Sequence, residues 1–148
     1  MENKREIFHV LTRRLGLLDK NCCAVGNFEI SIVQSHILYE IDKHFEPSMQ
    51  QIAEILAIDI TTFSRQIQTL VKMDLVKKTP STIDKRVSIL SLTVQGKFVA
   101  TNIDHSMNAY LDEVFSHLNE FERETVLRSL QLLNEAMSKS SVCCKPLY

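Results

Sequence analysis

The reading of the fold turns on residues 48–73, Ser48-Met49-Gln50-Gln51-Ile52-Ala53-Glu54-Ile55-Leu56-Ala57-Ile58-Asp59-Ile60-Thr61-Thr62-Phe63-Ser64-Arg65-Gln66-Ile67-Gln68-Thr69-Leu70-Val71-Lys72-Met73. Ser48 and Gln51 have the spacing at which a hydroxyl and an amide each satisfy a backbone donor at a helix start. Ile52, Ile55 and Leu56 carry that helix to a short connection at Ala57-Ile58. Asp59 is then the expected N-cap of a second helix that runs to about Met73. At 100° per residue, Ile60, Phe63, Ile67, Leu70 and Val71 fall on one side of it. Thr61, Arg65, Gln68 and Lys72 fall opposite, with Thr62, Ser64 and Thr69 on the flanks, and no carboxylate interrupts that face. These groups can donate to phosphates or base edges, although any surface helix also turns polar residues outward.

Residues 75–92 separate the two readings. Leu75–Thr79 and Arg86–Leu92 alternate and are rich in β-branched residues, so they predict two strands around a turn at Pro80–Lys85. Asp84, Lys85 and Arg86 give the tip a cation suited to the narrow, electronegative minor groove, with Asp84 able to orient Arg86. Helix, short turn, helix and hairpin is the order of a winged helix-turn-helix.

Outward from this segment the chain is helical. Ser31 and Gln34 repeat the capping spacing before a helix carrying Ile37, Leu38 and Ile41, which Pro47 stops near His44. Glu2 to Lys20 predicts a first helix with Ile7, Leu11, Leu15 and Leu18 in one stripe and Gly16 inside it, at a cost of about 1 kcal/mol relative to Ala. Asn21–Asn27, containing Gly26, predicts a loop. Thr93 is the expected cap of a long helix with Val99, Ile103, Tyr110, Val114 and Leu118, its first turn weakened by Gly96. Asn119 caps a last helix with Val126, Leu130, Leu133 and Met137 one turn apart, widened by Leu127, Leu132 and Ala136.

Composition limits the alternatives. The 148 residues are 45% hydrophobic, enough for one folding unit with a core, and the net charge of −1 gives no global field for nucleic acid. Charge is instead local: Ser48–Lys97 holds Arg65, Lys72, Lys77, Lys78, Lys85, Arg86 and Lys97 against Glu54, Asp59, Asp74 and Asp84, and the remainder is net acidic. No apolar run approaches the roughly 20 residues that span a bilayer, and the charged start MENKREIFHVLTRR is unlike a signal peptide, so a soluble cytoplasmic protein without a membrane partner is expected. With three glycines there is no phosphate-cradling loop. Cys-x-x-Cys, His-Glu-x-x-His and Gly-x-Ser-x-Gly are also missing, so neither an enzyme nor a cofactor is expected.

Taken together, Ser48–Leu56, Thr61–Ile67, Leu75–Lys78 and Asp84-Lys85-Arg86 through Leu92-Thr93-Val94-Gln95-Gly96-Lys97 resemble the multiple antibiotic resistance regulator (MarR) family of bacterial repressors. The Asp-x-Arg wing followed by Leu-Thr-x-x-Gly-Lys is the most diagnostic part. The fold so implied is mainly α with a small β-hairpin wing, a winged helix-turn-helix with N- and C-terminal dimerisation helices. One domain over residues 1–148 would hold a winged lobe at about 31–93 and dimerisation helices at about 2–20 and 93–140. The resemblance implies a homodimer that places two recognition helices in successive major grooves of a palindromic double-stranded DNA operator, and an effector cleft between the dimerisation helices and the DNA-binding lobe. By carry-over, Thr61, Thr62, Ser64, Arg65 and Gln68 face DNA and Asp84 and Arg86 serve the wing, with Lys72 and Lys85 beside them. The wing loop is short and has one basic residue fewer than in many relatives.

Adjacent cysteines at Cys22-Cys23 and Cys143-Cys144 are the unusual feature, since thiolates take soft ions and oxidants. They stand either as small hydrophobes or as an effector site for a soft metal or oxidant, and a small organic effector is the other expectation. His9, His36, His44, His105 and His117 are scattered and read as structural or surface residues. The competing functional class is a winged-helix protein-interaction module without DNA binding, against which Arg65, Lys85 and Arg86 argue.

Overall fold

The computed structural model describes residues 3–17 and 23–140, which fall into two compact units divided between Asp104 and His105. In the first unit, the Asn3 side chain accepts the Arg5 N–H at 3.1 Å and opens α1 (Lys4–Arg14). The helix ends well before Lys20. Gly16, at φ +71°, lies beyond the helix and not within it. Its N–H reaches the Arg13 carbonyl at 3.2 Å while the Leu17 N–H reaches that of Thr12 at 3.3 Å. This pair of reversed bonds closes the orphan carbonyls of a helix end through a left-handed residue, so Gly16 terminates the helix and does not weaken it. Leu18, expected in the stripe, lies outside the described residues.

Where a loop was expected, β1 (Cys23–Val25) pairs antiparallel with β2 (Phe28–Ile30) in the register Cys23↔Ile30 and Val25↔Phe28. The two-residue Gly26-Asn27 link is hairpin chemistry.

The expected caps are present. Ser31 Oγ accepts the Gln34 N–H at 3.2 Å and Gln34 Oε1 accepts the Ser31 N–H at 3.0 Å, starting α2 (Ile32–Lys43). Ser48 and Gln51 do the same at 3.1 and 2.8 Å for α3 (Met49–Ile55). Asp59 Oδ1 accepts the Thr62 N–H at 2.9 Å at the head of α4 (Ile60–Lys72). Ala57, at φ +53°, turns the chain between α3 and α4: its N–H reaches the Glu54 carbonyl at 3.1 Å and the Ile58 N–H that of Ala53 at 3.0 Å. Ile55 is exposed, so α3 buries only Ile52 and Ala53.

β3 (Val76–Pro80) and β4 (Ser88–Leu92) form an antiparallel hairpin in the register Val76↔Leu92 to Pro80↔Ser88. Arg86 and Val87, expected in the second strand, belong to the turn, because Val87 N–H closes onto the Asp84 carbonyl at 2.9 Å. The hairpin is fastened to the head of α3 by the Leu90 N–H on the Pro47 carbonyl at 2.9 Å and by a bridge between Ser48 and Ile89.

One core joins these elements. Ile30, Ile37, Leu38, Ile52, Phe63, Ile67, Leu70, Leu75, Leu90 and Val99 are fully buried, each worth about 1.5–3 kcal/mol of transfer free energy. Val99 comes from α5 (Val94–Ser116), whose first turn is set by Thr93. The Thr93 hydroxyl accepts the Gly96 N–H at 2.9 Å and donates to the Asp74 carbonyl at 2.6 Å. Gly96 is buried against Leu75, so it does more than weaken a first turn.

The second unit holds the rest of α5 and α6 (Glu120–Ser138), which Asn119 and Glu122 cap reciprocally, both bonds at 2.9 Å. No residue of α6 is buried, and Leu127, Leu130, Leu132 and Met137 are exposed. In the first unit α1 likewise buries nothing and exposes Ile7, Phe8 and Leu11. Among the described residues no helix is long and apolar enough to cross a membrane.

Candidate nucleic-acid interface

α4 is seated by Phe63, Ile67 and Leu70, all buried. The apolar side is narrower than its periodicity suggests, because Ile60 and Val71 are 46% and 41% exposed. They occupy the first and the penultimate positions of the helix, outside the stripe that the core covers. The seat leaves Thr61, Thr62, Arg65, Gln68 and Lys72 exposed and Ser64 half-buried. Thr69 is spent locally: its hydroxyl donates to the Arg65 carbonyl at 3.1 Å.

The N-terminus of α4 is electrostatically prepared. Thr62, through its side chain first and then its backbone N–H, holds the Asp59 carboxyl below the usual value, so the cap is ionised at neutral pH. From Ile60 to Lys72 no acidic residue opposes an anion. The exposed face therefore offers one guanidinium, one ammonium, one amide and the Thr61 hydroxyl, a set able to meet both phosphates and base edges.

At the wing, Asp84 grips Arg86 three times. The Arg86 N–H and Nε donate to Asp84 Oδ1 at 3.0 and 3.2 Å, and Nη2 donates to Oδ2 at 3.3 Å. The fork holds the Asp84 carboxyl below its ordinary value, the side-chain bond being the larger cause. Arg86 is still 91% exposed, so it is aimed while its outer donors stay open to a ligand. Lys85 is exposed beside it, and Lys77 and Lys78 are exposed along β3.

Ser81 also fixes the tip, a role that the sequence pattern did not assign to it. Its hydroxyl accepts the Ile83 N–H at 3.2 Å and the Asp84 N–H at 3.5 Å, while its own N–H reaches the Val87 carbonyl at 2.8 Å. A serine two residues before a turn centre is the signal that could have marked it.

Of the four cysteines, Cys23 opens β1, and Cys22, Cys143 and Cys144 lie outside the described residues. All five histidines are exposed or half-buried, and two sit on carboxylate-bearing neighbours one turn away, His44 on Glu40 and His117 on Glu113. Among the described residues no cluster of three or more His, Cys, Asp or Glu could hold a metal. A groove of about 530 Å³ in the first unit is lined by Ile41, Phe45, Leu92 and Val94, with Lys97 Nζ on Asp42 Oδ1 at 2.6 Å at its edge.

Comparison with known proteins agrees with this architecture. Residues 30–88 match the MarR family model. The HTH-type transcriptional regulator YxaD of Bacillus subtilis is 27% identical over 124 residues, 84% of this chain and 85% of the relative. The HTH-type transcriptional regulator TcaR of Staphylococcus aureus is 27% identical over 119 residues, 78% of each chain. Among solved structures, Streptococcus pneumoniae FabT in complex with DNA matches with a TM-score of 0.80 at 19% identity, over 92% of this chain and 98% of that one. Apo wild-type MarR from E. coli matches with a TM-score of 0.69 at 19% identity, over 90% and 97%. At these identities the structural matches establish the fold, a mainly α winged helix-turn-helix with a two-stranded wing.

Proposed function

We propose that this chain, whose residues 30–88 match the MarR family model, is a transcriptional regulator of that family that binds a palindromic DNA operator as a homodimer. The observation that carries this reading is the pairing, on one compact unit, of a carboxylate-free polar face on α4 with a wing whose arginine is held and aimed by Asp84. Thr61, Thr62, Ser64, Arg65, Gln68 and Lys72 would enter the major groove, and Asp84, Lys85 and Arg86 would serve the minor groove. A protein-interaction module has no need of a forked cation beside a helix stripped of acids. The complex of FabT with DNA supports the same use of this fold.

Dimerisation is supported by α1 and α6, which bury nothing within the chain and expose rows of Leu, Ile, Phe and Met. Faces of that kind are the usual interface of a dimer whose protomers share a core. Repression, relieved by a small organic molecule, a soft metal or an oxidant acting on Cys22, Cys23, Cys143 or Cys144, completes the proposal.

The test is selection of bound duplexes from random DNA, footprinting on the sequence recovered, and light scattering of the free protein. A two-fold symmetric footprint with half-sites about 34–36 Å apart is expected, from a particle of about twice the 17.0 kDa chain mass. A monomer, or a protein that retains no sequence from the pool, would defeat the proposal. Adding soft metals, peroxide or aromatic acids to the bound complex, for the wild type and for Cys22→Ser/Cys23→Ser and Cys143→Ser/Cys144→Ser, then identifies the trigger.

A further inference from the structure

We propose that Ile83 is a specificity-determining residue of the wing: seated in the minor groove beside Arg86, it admits A·T pairs and rejects G·C pairs. The inference rests on the DNA-binding reading above and adds to it what the wing reads.

Ile83 is 97% exposed at the tip of the β3–β4 turn. An isolated exposed apolar residue is ordinary, and exposure alone would mean nothing. What distinguishes this one is that the tip is cross-linked so that the side chain is presented. The Ile83 N–H is held by the Ser81 hydroxyl at 3.2 Å, and the turn is closed on both sides by Ser81 N–H on the Val87 carbonyl and Val87 N–H on the Asp84 carbonyl, at 2.8 and 2.9 Å. The next residue, Asp84, is the one that holds Arg86. One rigid turn therefore carries an apolar prong and an aimed cation.

In the minor groove the two groups ask for the same base pair. An A·T pair shows only the acceptors adenine N3 and thymine O2, whereas G·C adds the guanine N2 amine, a donor that projects from the groove floor. Arg86 has donors only, so it suits the A·T pattern. Ile83 has neither donors nor acceptors. Over a G·C pair it would strip water from the guanine amine and return no acceptor, leaving a buried donor unpaired.

Hypoxanthine separates this contact from other effects, because an I·C pair lacks the N2 amine and presents the same groove floor as A·T. Operator duplexes recovered by selection would be rebuilt with A·T, I·C or G·C at the pairs the wing protects. For the wild type, A·T and I·C should bind within about twofold of each other, and G·C should bind about tenfold more weakly, equivalent to about 1.4 kcal/mol. In Ile83→Asn the amide oxygen can accept from the guanine amine, and the G·C penalty should shrink to about twofold or less. Ile83→Val, which keeps the apolar prong, should retain the tenfold penalty. Far-UV circular dichroism and melting check that the variants stay folded, which the exposure of the site leads one to expect. A wild-type protein that binds A·T and G·C flanks alike, or a penalty untouched in Ile83→Asn, overturns the role of Ile83. Absence of binding to any selected duplex overturns instead the DNA-binding reading on which it rests.

Discussion

A Cβ built on Gly96 would lie 1.8 Å from the carbonyl oxygen of Leu75 and 2.8 Å from its carbonyl carbon. The first turn of α5 thus lies directly on the turn that links α4 to β3, where the Leu75 carbonyl also accepts the Thr93 N–H at 3.1 Å. Both obstacles are backbone atoms and cannot rotate aside. Gly96→Ala should therefore cost at least about 2 kcal/mol, the upper part of the usual range for overpacking, although Ala favours helix at an open position. Urea denaturation measures this, and a variant within about 0.5 kcal/mol of the wild type would show that the approach is not so close.

At the turn between α3 and α4 the opposite substitution should help. Ala57 is exposed and holds φ +53°, a left-handed conformation that costs an L-residue about 1–2 kcal/mol and glycine almost nothing. Against that stands the extra freedom of glycine in the unfolded chain, about 0.5–1 kcal/mol. Ala57→Gly should then stabilise the protein by about 0.5–1 kcal/mol, read as a higher melting temperature. A lower one would mean that the conformational penalty at this turn is smaller than the entropy it displaces.

These two sites also show what is legible in the sequence. Helix starts are legible at Ser31, Ser48, Asp59 and Asn119, because each cap announces itself by a residue that can accept a local backbone N–H. Helix ends are harder. α1, α3 and α4 all end on a left-handed residue with the same pair of reversed hydrogen bonds, at Gly16, Ala57 and Asp74. Only Gly16 carries the residue type that marks such an end, and the apolar stripe continuing to Leu18 disguises it. Gly96 reads in the sequence as a local weakness because its reason, Leu75, is twenty-one residues away along the chain. In the candidate interface, the link from Asp84 to Arg86 is readable because it spans two residues. The contact of Thr93 with Asp74 is not, since its partner lies 19 residues away along the chain.

Two carboxylates of the candidate interface, Asp59 and Asp84, have folded-state pKa values below the ordinary one, Asp59 through Thr62 and Asp84 through Arg86. A depressed acid contributes stability that is fully present above its unfolded value, near 3.9, and lost as pH falls through the lower folded value. Neither group should contribute any pH dependence between about pH 5 and 8. The double variant Asp59→Asn/Asp84→Asn should melt below the wild type at neutral pH, with the gap narrowing only in acid below about pH 4. Both sites are open to solvent, so added salt should shrink the neutral-pH gap. A gap that instead widens toward acid would reverse the assigned direction of the shifts.

The two kinds of DNA contact should separate by salt and by sequence. On the proposed reading Arg86 and Lys85 at the wing act mainly as cations, and each phosphate they would neutralise releases condensed counterions. Arg86→Ala should weaken random duplexes as well as the operator and lower the salt slope by about one. Arg65 and Gln68 stand on the exposed face of α4, opposite buried Phe63, Ile67 and Leu70, where their planar groups can pair with base edges. Arg65→Ala or Gln68→Ala should cost about 1–3 kcal/mol on the operator and much less on random DNA, so that discrimination collapses. Gln68→Ala removes no charge and should leave the salt slope unchanged, which distinguishes it from every lysine or arginine variant. Fluorescence anisotropy across a salt series, with operator and scrambled duplexes side by side, supplies both the affinities and the slopes. Equal losses on both duplexes for Gln68→Ala, or operator affinity unmoved by all three substitutions at moderate salt, would remove α4 from the groove and leave its polar face an ordinary solvated one.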